Sequence, residues 1–180
     1  MKKIEIECCP ADIYIAAIEE SERGERRKME TAASHRLVKT VFGPDAALCH
    51  FPGGAPYVPG INQEISVAHC RRTVLLAIMH DCSQIGADIE ENRSQLARVC
   101  RRILTPEEYE HYSRLPFGFL TAWTTKEALY KASRRMFDHE PEYAADLHIL
   151  PRPTAAGKTF RAWSRMLETG EMITVVLPAS

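Results

Sequence analysis

Two segments of this chain carry charge at incompatible periods, and together they limit what it can fold into. Ile85-Gly86-Ala87-Asp88-Ile89-Glu90 reads as a strand, in which Asp88 and Glu90 point one way while Ala87 and Ile89 point the other. Trp123-Thr124-Thr125-Lys126-Glu127-Ala128-Leu129-Tyr130-Lys131-Ala132 has helical spacing instead. Residues four apart are then neighbours, which sets Trp123, Glu127 and Lys131 along one stripe with Lys126 and Tyr130 close beside it. Ala122, Leu129, Ala132 and Met136 take the opposite side, an apolar stripe for the core that leaves the charged stripe facing a cleft. A chain that obeys both periods combines helix and strand, which predicts an α+β fold.

Asp88, Glu90 and Glu127 repel one another if they converge, and such a cluster is costly unless a cation or a proton intervenes. A hard divalent ion resolves the conflict. Magnesium is favoured because it takes oxygen ligands and often draws the remainder from substrate phosphates, with manganese as the substitute. Each segment alone has a blander reading. A lone Asp-x-Glu is most often a solvated strand edge, and a lone Lys-Glu pair on a helix is surface decoration worth about 0.2–0.5 kcal/mol.

In this order, with a helical stretch between them, the two segments resemble the signature of the 4′-phosphopantetheinyl transferase superfamily. That pattern runs Gly-x-Asp-x-Glu, then Trp-x-x-Lys-Glu-Ala-x-x-Lys, and every fixed position of both is present. The chain length favours the larger, single-chain, Sfp-like branch. Upstream, where the family has Gly-Lys-Pro and Ser-His-Ser, this chain has Gly54-Ala55-Pro56 and Ala68-His69-Cys70. The His and the flanking Gly and Pro match, while the Lys and both Ser do not.

The resemblance implies transfer of the phosphopantetheine arm of coenzyme A to a serine of an apo acyl or peptidyl carrier protein, releasing adenosine 3′,5′-bisphosphate. By the same resemblance Asp88, Glu90 and Glu127 would ligate the metal, Lys131 and Lys126 would neutralise phosphate oxygens, and Glu127 is the candidate base. His69 would sit beside the phosphates, with Arg27, Arg36, Gly54, Ala55 and Pro56 helping to hold the nucleotide end. The implied fold is one unit of residues 1–180 built from two pseudo-symmetric α/β halves, about 1–82 and 83–180, that acts as a monomer. Two rivals stand beside the transferase reading, the first supported by the altered Ala68-His69-Cys70 segment and the second by the same carboxylates. One is a non-catalytic module that binds coenzyme A or a carrier protein, and the other is a magnesium-dependent phosphoryl hydrolase.

At 180 residues one compact unit is expected. A formal net charge of −1 argues against broad nucleic-acid binding through a basic surface. Six cysteines at 8, 9, 49, 70, 82 and 100 contain no Cys-x-x-Cys pair, zinc spacing or disulfide framework, and fit reduced thiols in cytosol. The N-terminus lacks the apolar stretch of a signal peptide, and no membrane association is expected. The basic residues cluster as Arg23/Arg26/Arg27/Lys28, Arg98/Arg101/Arg102 and Arg134/Arg135. The second group lies on one helix and offers a docking edge for an acidic carrier protein, or simply a solvated face.

Local patterns predict strands over 4–8, 13–18, 65–67, 73–79 and 172–177, with 85–90 returning beside 73–79 as a hairpin. Helices are expected over 25–41, 94–104 and 117–136. Thr105-Pro106-Glu107-Glu108 forms a capping box with proline at the first helical position and opens a further short helix.

Overall fold

The computed structural model describes residues 1–20, 24–81 and 84–179. Arg23, Cys82 and the expected junction between the halves at 82/83 lie outside the described residues. The first elements are β1 (Lys2–Ile4), β2 (Asp12–Ala17), α1 (Arg26–Phe42), β3 (Cys49–His50), β4 (Pro56–Tyr57), β5 (Glu64–His69) and β6 (Thr73–Met79). They are followed by β7 (Gly86–Glu91), α2 (Leu96–Ile103), α3 (Pro106–Ser113), α4 (Gly118–Ser133) and a 3-10 turn, Arg134–Met136. The described chain closes with β8 (Leu147–His148), β9 (Thr154–Ala155), β10 (Lys158–Met166) and β11 (Glu171–Pro178).

The layering follows from strands buried on both faces. In β6 the two-residue period sends Val74, Leu76 and Ile78 toward Ala33, Leu37 and Val38 of α1. Leu75, Ala77 and Met79 point the other way and meet Ala87 and Ile89 of β7 and Ile173 and Val175 of β11. On the far side of that second sheet Val176 packs with Ala122, Ala128, Leu129 and Ala132 of α4. The order is therefore helix, sheet, sheet, helix. Full burial of each Leu or Val in these layers contributes about 1.5–3 kcal/mol.

Both large sheets are antiparallel, with strand orders β1-β2-β6-β5 and β7-β11-β10-β9-β8, and β3 and β4 form a separate ribbon. The mixed α and β composition agrees with the expectation, but one pairing does not. Residues 85–90 were expected to hairpin with 73–79, whereas β7 pairs with β11, placing Asp88 opposite Thr174 and Glu91 opposite Glu171. The reason is that β6 already has β2 and β5 on its two edges, leaving no free ladder. The first strand is also displaced toward the N-terminus. Its pairing with β2 ends at Ile4–Ile13, and Cys8 turns the chain with φ of 58°. Among the described residues, no helix is long and apolar enough to cross a membrane.

Candidate active site

The glycine of the strand motif brings the charged segments together. A Cβ on Gly86 would lie 1.8 Å from the Ala128 carbonyl oxygen and 2.6 Å from the Ala132 amide nitrogen. Only a residue without a side chain lets β7 approach α4 so closely. That approach sets Lys131 Nζ 2.8 Å from Asp88 Oδ1 and 3.0 Å from the Ala87 carbonyl oxygen.

Asp88, Glu90, Glu127, Lys131, His69 and Trp123 line one cleft of about 320 Å³. The Glu90 carboxylate pairs with Arg93 and accepts the Glu91 amide at 2.9 Å. Glu127 Oε1 accepts the Tyr143 hydroxyl at 2.9 Å. All three carboxyls are pushed above their ordinary values. Burial is the main cause for each, opposed at Asp88 by Lys131 and at Glu90 by the Glu91 amide and Arg93. At Glu127 burial is reinforced by Asp88 and Glu90 against Lys131 and Tyr143.

Three partly desolvated carboxylates thus face two paired cations, Lys131 and Arg93. The all-oxygen donor set suits a hard divalent ion. Their oxygens do not form a closed triad, however. Among the described residues, the His, Cys, Asp or Glu group whose ligand atoms all lie within 4.8 Å of one another is Cys70, Glu91 and Glu171.

A second cleft, of about 300 Å³, opens beside the first, and His69 and Lys131 line both. Its wall includes Gly54, Ala55 and Pro56, together with Ser34 and His35 of α1 and Arg134 and Arg135 after α4. The 51–55 turn is closed by the β3–β4 ribbon and by Phe51 N donating to the Ala55 carbonyl at 2.9 Å. His69 Nδ1 stands 3.6 Å from Glu30 Oε1, and Arg27 lines a shallower groove with Arg26, Glu30 and His69. Ala68, on the opposite face of β5, and Cys70, just past its end, are buried within the core between the sheets.

Two residues assigned to phosphate contact are placed elsewhere. Arg36 pairs with Glu19 and does not line the second cleft; the helical turn there presents His35 instead. Lys126 was expected beside the charged stripe, yet it is fully buried. Its ammonium meets Glu108 Oε2 at 2.8 Å and donates to the Tyr143 carbonyl at 2.9 Å and to the Leu147 carbonyl. Lys126 is one position from Glu127 on a helix, a turn of about 100°, which is enough to carry it from the cleft into the interior.

Glu108, only 2 % exposed, is the other half of that network. Its carboxylate also accepts the amides of Thr105 at 3.0 Å and Ile149 at 2.6 Å. The expected capping box is present, and its glutamate also serves as the buried counter-ion of Lys126.

Other contributors had no signal in the sequence. Tyr143 stacks on Tyr130 with ring centroids 5.6 Å apart and on Trp123 at 6.5 Å, so its hydroxyl is held on Glu127. Burial and Glu127 push that phenol far above its ordinary value, so it stays a donor. Arg134 carries a buried Nε without a hydrogen-bond partner among the described residues, and its guanidinium lies beside Gly54 in the second cleft. Only the basic pair Arg134-Arg135 hinted at this.

No curated protein matches the chain. Residues 84–167 match the model of the 4′-phosphopantetheinyl transferase superfamily. That stretch begins just before β7 and runs through β10, so it holds Asp88, Glu90, Glu127 and Lys131, while His69 and the 54–56 turn lie outside it. Over residues 84–167, therefore, the chain is similar to the 4′-phosphopantetheinyl transferase superfamily domain.

Proposed function

We propose that the protein transfers the 4′-phosphopantetheine arm of coenzyme A to a serine of an apo acyl or peptidyl carrier protein. The observation that carries this reading is the convergence of Asp88, Glu90, Glu127, Lys131 and His69 on one cleft, which shares His69 and Lys131 with a second cleft edged by Arg134 and Arg135. One end suits a metal and a pyrophosphate, and the other suits the nucleotide phosphates. In the reaction the serine oxygen forms a bond to the phosphorus bearing pantetheine, the anhydride bond to adenosine 3′,5′-bisphosphate breaks, and the serine proton passes to a base.

Glu127 is the base in this reading. The Tyr143 hydroxyl fixes one of its oxygens and so orients the carboxylate toward the serine proton. Asp88, Glu90 and Glu127 would hold magnesium or manganese, which supplies charge neutralisation at the pyrophosphate when bound. Lys131, set between the clefts, and Arg134 would neutralise phosphate oxygens, acting as fixed charges already in place before reaction. His69 and Arg27 are assigned to the nucleotide phosphates, with Gly54, Ala55 and Pro56 contributing backbone.

The carrier protein docks, in this reading, on exposed Arg98 and Arg102 of α2, while Arg101 is engaged by the Tyr109 hydroxyl at 3.1 Å. α2 packs on α4 through Leu96 and Leu120, in the same cluster as Trp123 of the cleft. A cytoplasmic monomer of two pseudo-symmetric halves, about 1–82 and 83–180, goes with the assignment. One long helix on an antiparallel sheet in each half supports the latter, although the sheets have four and five strands.

The test is intact-mass spectrometry of an apo carrier protein incubated with this protein, coenzyme A and magnesium. The expected result is a gain of one phosphopantetheine, abolished by Glu127→Gln. No gain on any of several carriers would favour a binding module, and release of adenosine bisphosphate without a carrier would favour a hydrolase.

A further inference from the structure

We propose that Cys70, Glu91 and Glu171 form a binding site for a divalent transition-metal ion, zinc foremost, separate from the carboxylate cleft. Strand geometry separates the two. Glu90 faces the cleft, so its neighbour Glu91 points to the other side of β7, toward the interior between the sheets. The β7–β11 register then sets Glu171 directly opposite Glu91, and like charges directly across a ladder destabilise it. The end of β5 adds Cys70, and the three ligand atoms lie within 4.8 Å of one another.

Each carboxylate keeps one buried oxygen without a hydrogen bond among the described residues, while Thr169, Thr73 and Arg72 also face Glu171. Glu171 is 3 % exposed, and its Oε2 and Glu91 Oε1 are both buried without a hydrogen bond from the described residues. Glu171 Oε1 accepts the Thr73 hydroxyl at 3.0 Å. The neighbouring cation is Arg72, whose Nε lies 3.7 Å from Glu91 Oε1 on a side chain 63 % exposed, beyond hydrogen-bond reach. Buried carboxylate oxygens left this way are costly, and a bound cation removes the cost.

The donor set selects the ion. One sulfur with two carboxylates disfavours magnesium and calcium and suits zinc, with three protein ligands and a fourth position for water. Thr73 supplies the outer hydrogen bond that orients a ligating carboxylate, and Cys70 N donating to the Thr73 carbonyl at 2.9 Å holds sulfur and hydroxyl on one turn. The Glu91 side chain, 25 % exposed, provides the entry path. Binding deprotonates the Cys70 thiol and releases that proton to the buffer. The ion would tie the β5–β6 turn to the ends of β7 and β11.

The experiment uses the full chain stripped of metal. With excess magnesium present to occupy the carboxylate cleft, cobalt(II) titration followed by absorption should give a thiolate-to-cobalt charge-transfer band saturating at one equivalent, and equilibrium dialysis should retain one zinc. Cys70→Ser should abolish the band, and Glu171→Gln and Glu91→Gln should each weaken zinc binding by at least about tenfold. Glu127→Gln and a Cys8→Ser/Cys9→Ser double variant should leave both readouts unchanged. Absence of the band in the unaltered chain, its survival in Cys70→Ser, or its loss in the Cys8/Cys9 variant would overturn the site. If Cys70→Ser does not fold, Glu91→Gln decides, because that position is partly exposed. Native circular dichroism with undiminished zinc affinity in Glu91→Gln would refute the proposal.

Discussion

Lys126→Met separates a structural lysine from a phosphate-binding one. The ammonium and the Glu108 carboxylate are both almost wholly buried, 2.8 Å apart, and burial lowers the lysine's proton affinity while Glu108 restores part of it. Removing one partner of a buried pair strands the other charge and costs about 3–5 kcal/mol. For a chain of this size each kcal/mol moves Tm by about 2–4 °C, so a fall of about 6–20 °C is expected by thermal circular dichroism. Lys126→Met/Glu108→Gln should recover part of that loss, because glutamine keeps a capping oxygen for the Thr105 amide without a stranded charge. Well below Tm, kcat of the folded variant for phosphopantetheine transfer should stay within about threefold of the parent. A variant with parental Tm and a hundredfold or greater loss of kcat would refute this reasoning and return Lys126 to the phosphates.

Gly86→Ala should lower Tm and activity together, since its methyl overlaps the Ala128 carbonyl and overpacking costs about 1–3 kcal/mol or more; a parental Tm would contradict the close approach of β7 to α4. Glu127→Gln should stabilise the metal-free protein at neutral pH while abolishing transfer, because the folded carboxyl lies above its ordinary 4.5. The native state therefore takes up that proton at higher pH than the unfolded chain, and the parent regains the lost stability as pH falls through the folded value. Chemical denaturation of parent and variant across that range should converge on acidification, and a constant gap would sink the assignment. Arg134→Ala should raise KM for coenzyme A about tenfold or more while sparing carrier protein, whereas Arg98→Glu/Arg102→Glu should raise KM for carrier protein alone. The opposite pattern in steady-state kinetics would remove either assignment.

Elements whose pattern is local were legible from the sequence. The Thr105–Glu108 capping box, α4 and the strand nature of residues 86–91 depend on neighbours within a few positions, and on those the chain and the fold agree. β10 was not legible, because along its nine residues only Phe160 is buried, so no clean alternation marks it. Strand partners were also beyond local reading. Whether β7 joined β6 or β11 depended on which edges β2 and β5 had already occupied.

The sequence by itself determined which carboxylates share a strand face and which charges recur at helical spacing, because the two- and four-residue periods are properties of the backbone. Tertiary structure decided which of those charges meets solvent. Lys126 and Lys131 look alike in the motif, yet one is consumed by Glu108 in the interior and the other stands between two clefts. Tyr143 and Arg134 reach the site from segments with no motif, and Cys70 of the β5–β6 turn, Glu91 of β7 and Glu171 of β11 gather from distant parts of the chain. Contacts between residues far apart in the chain leave no periodic trace, so only the packed fold discloses them.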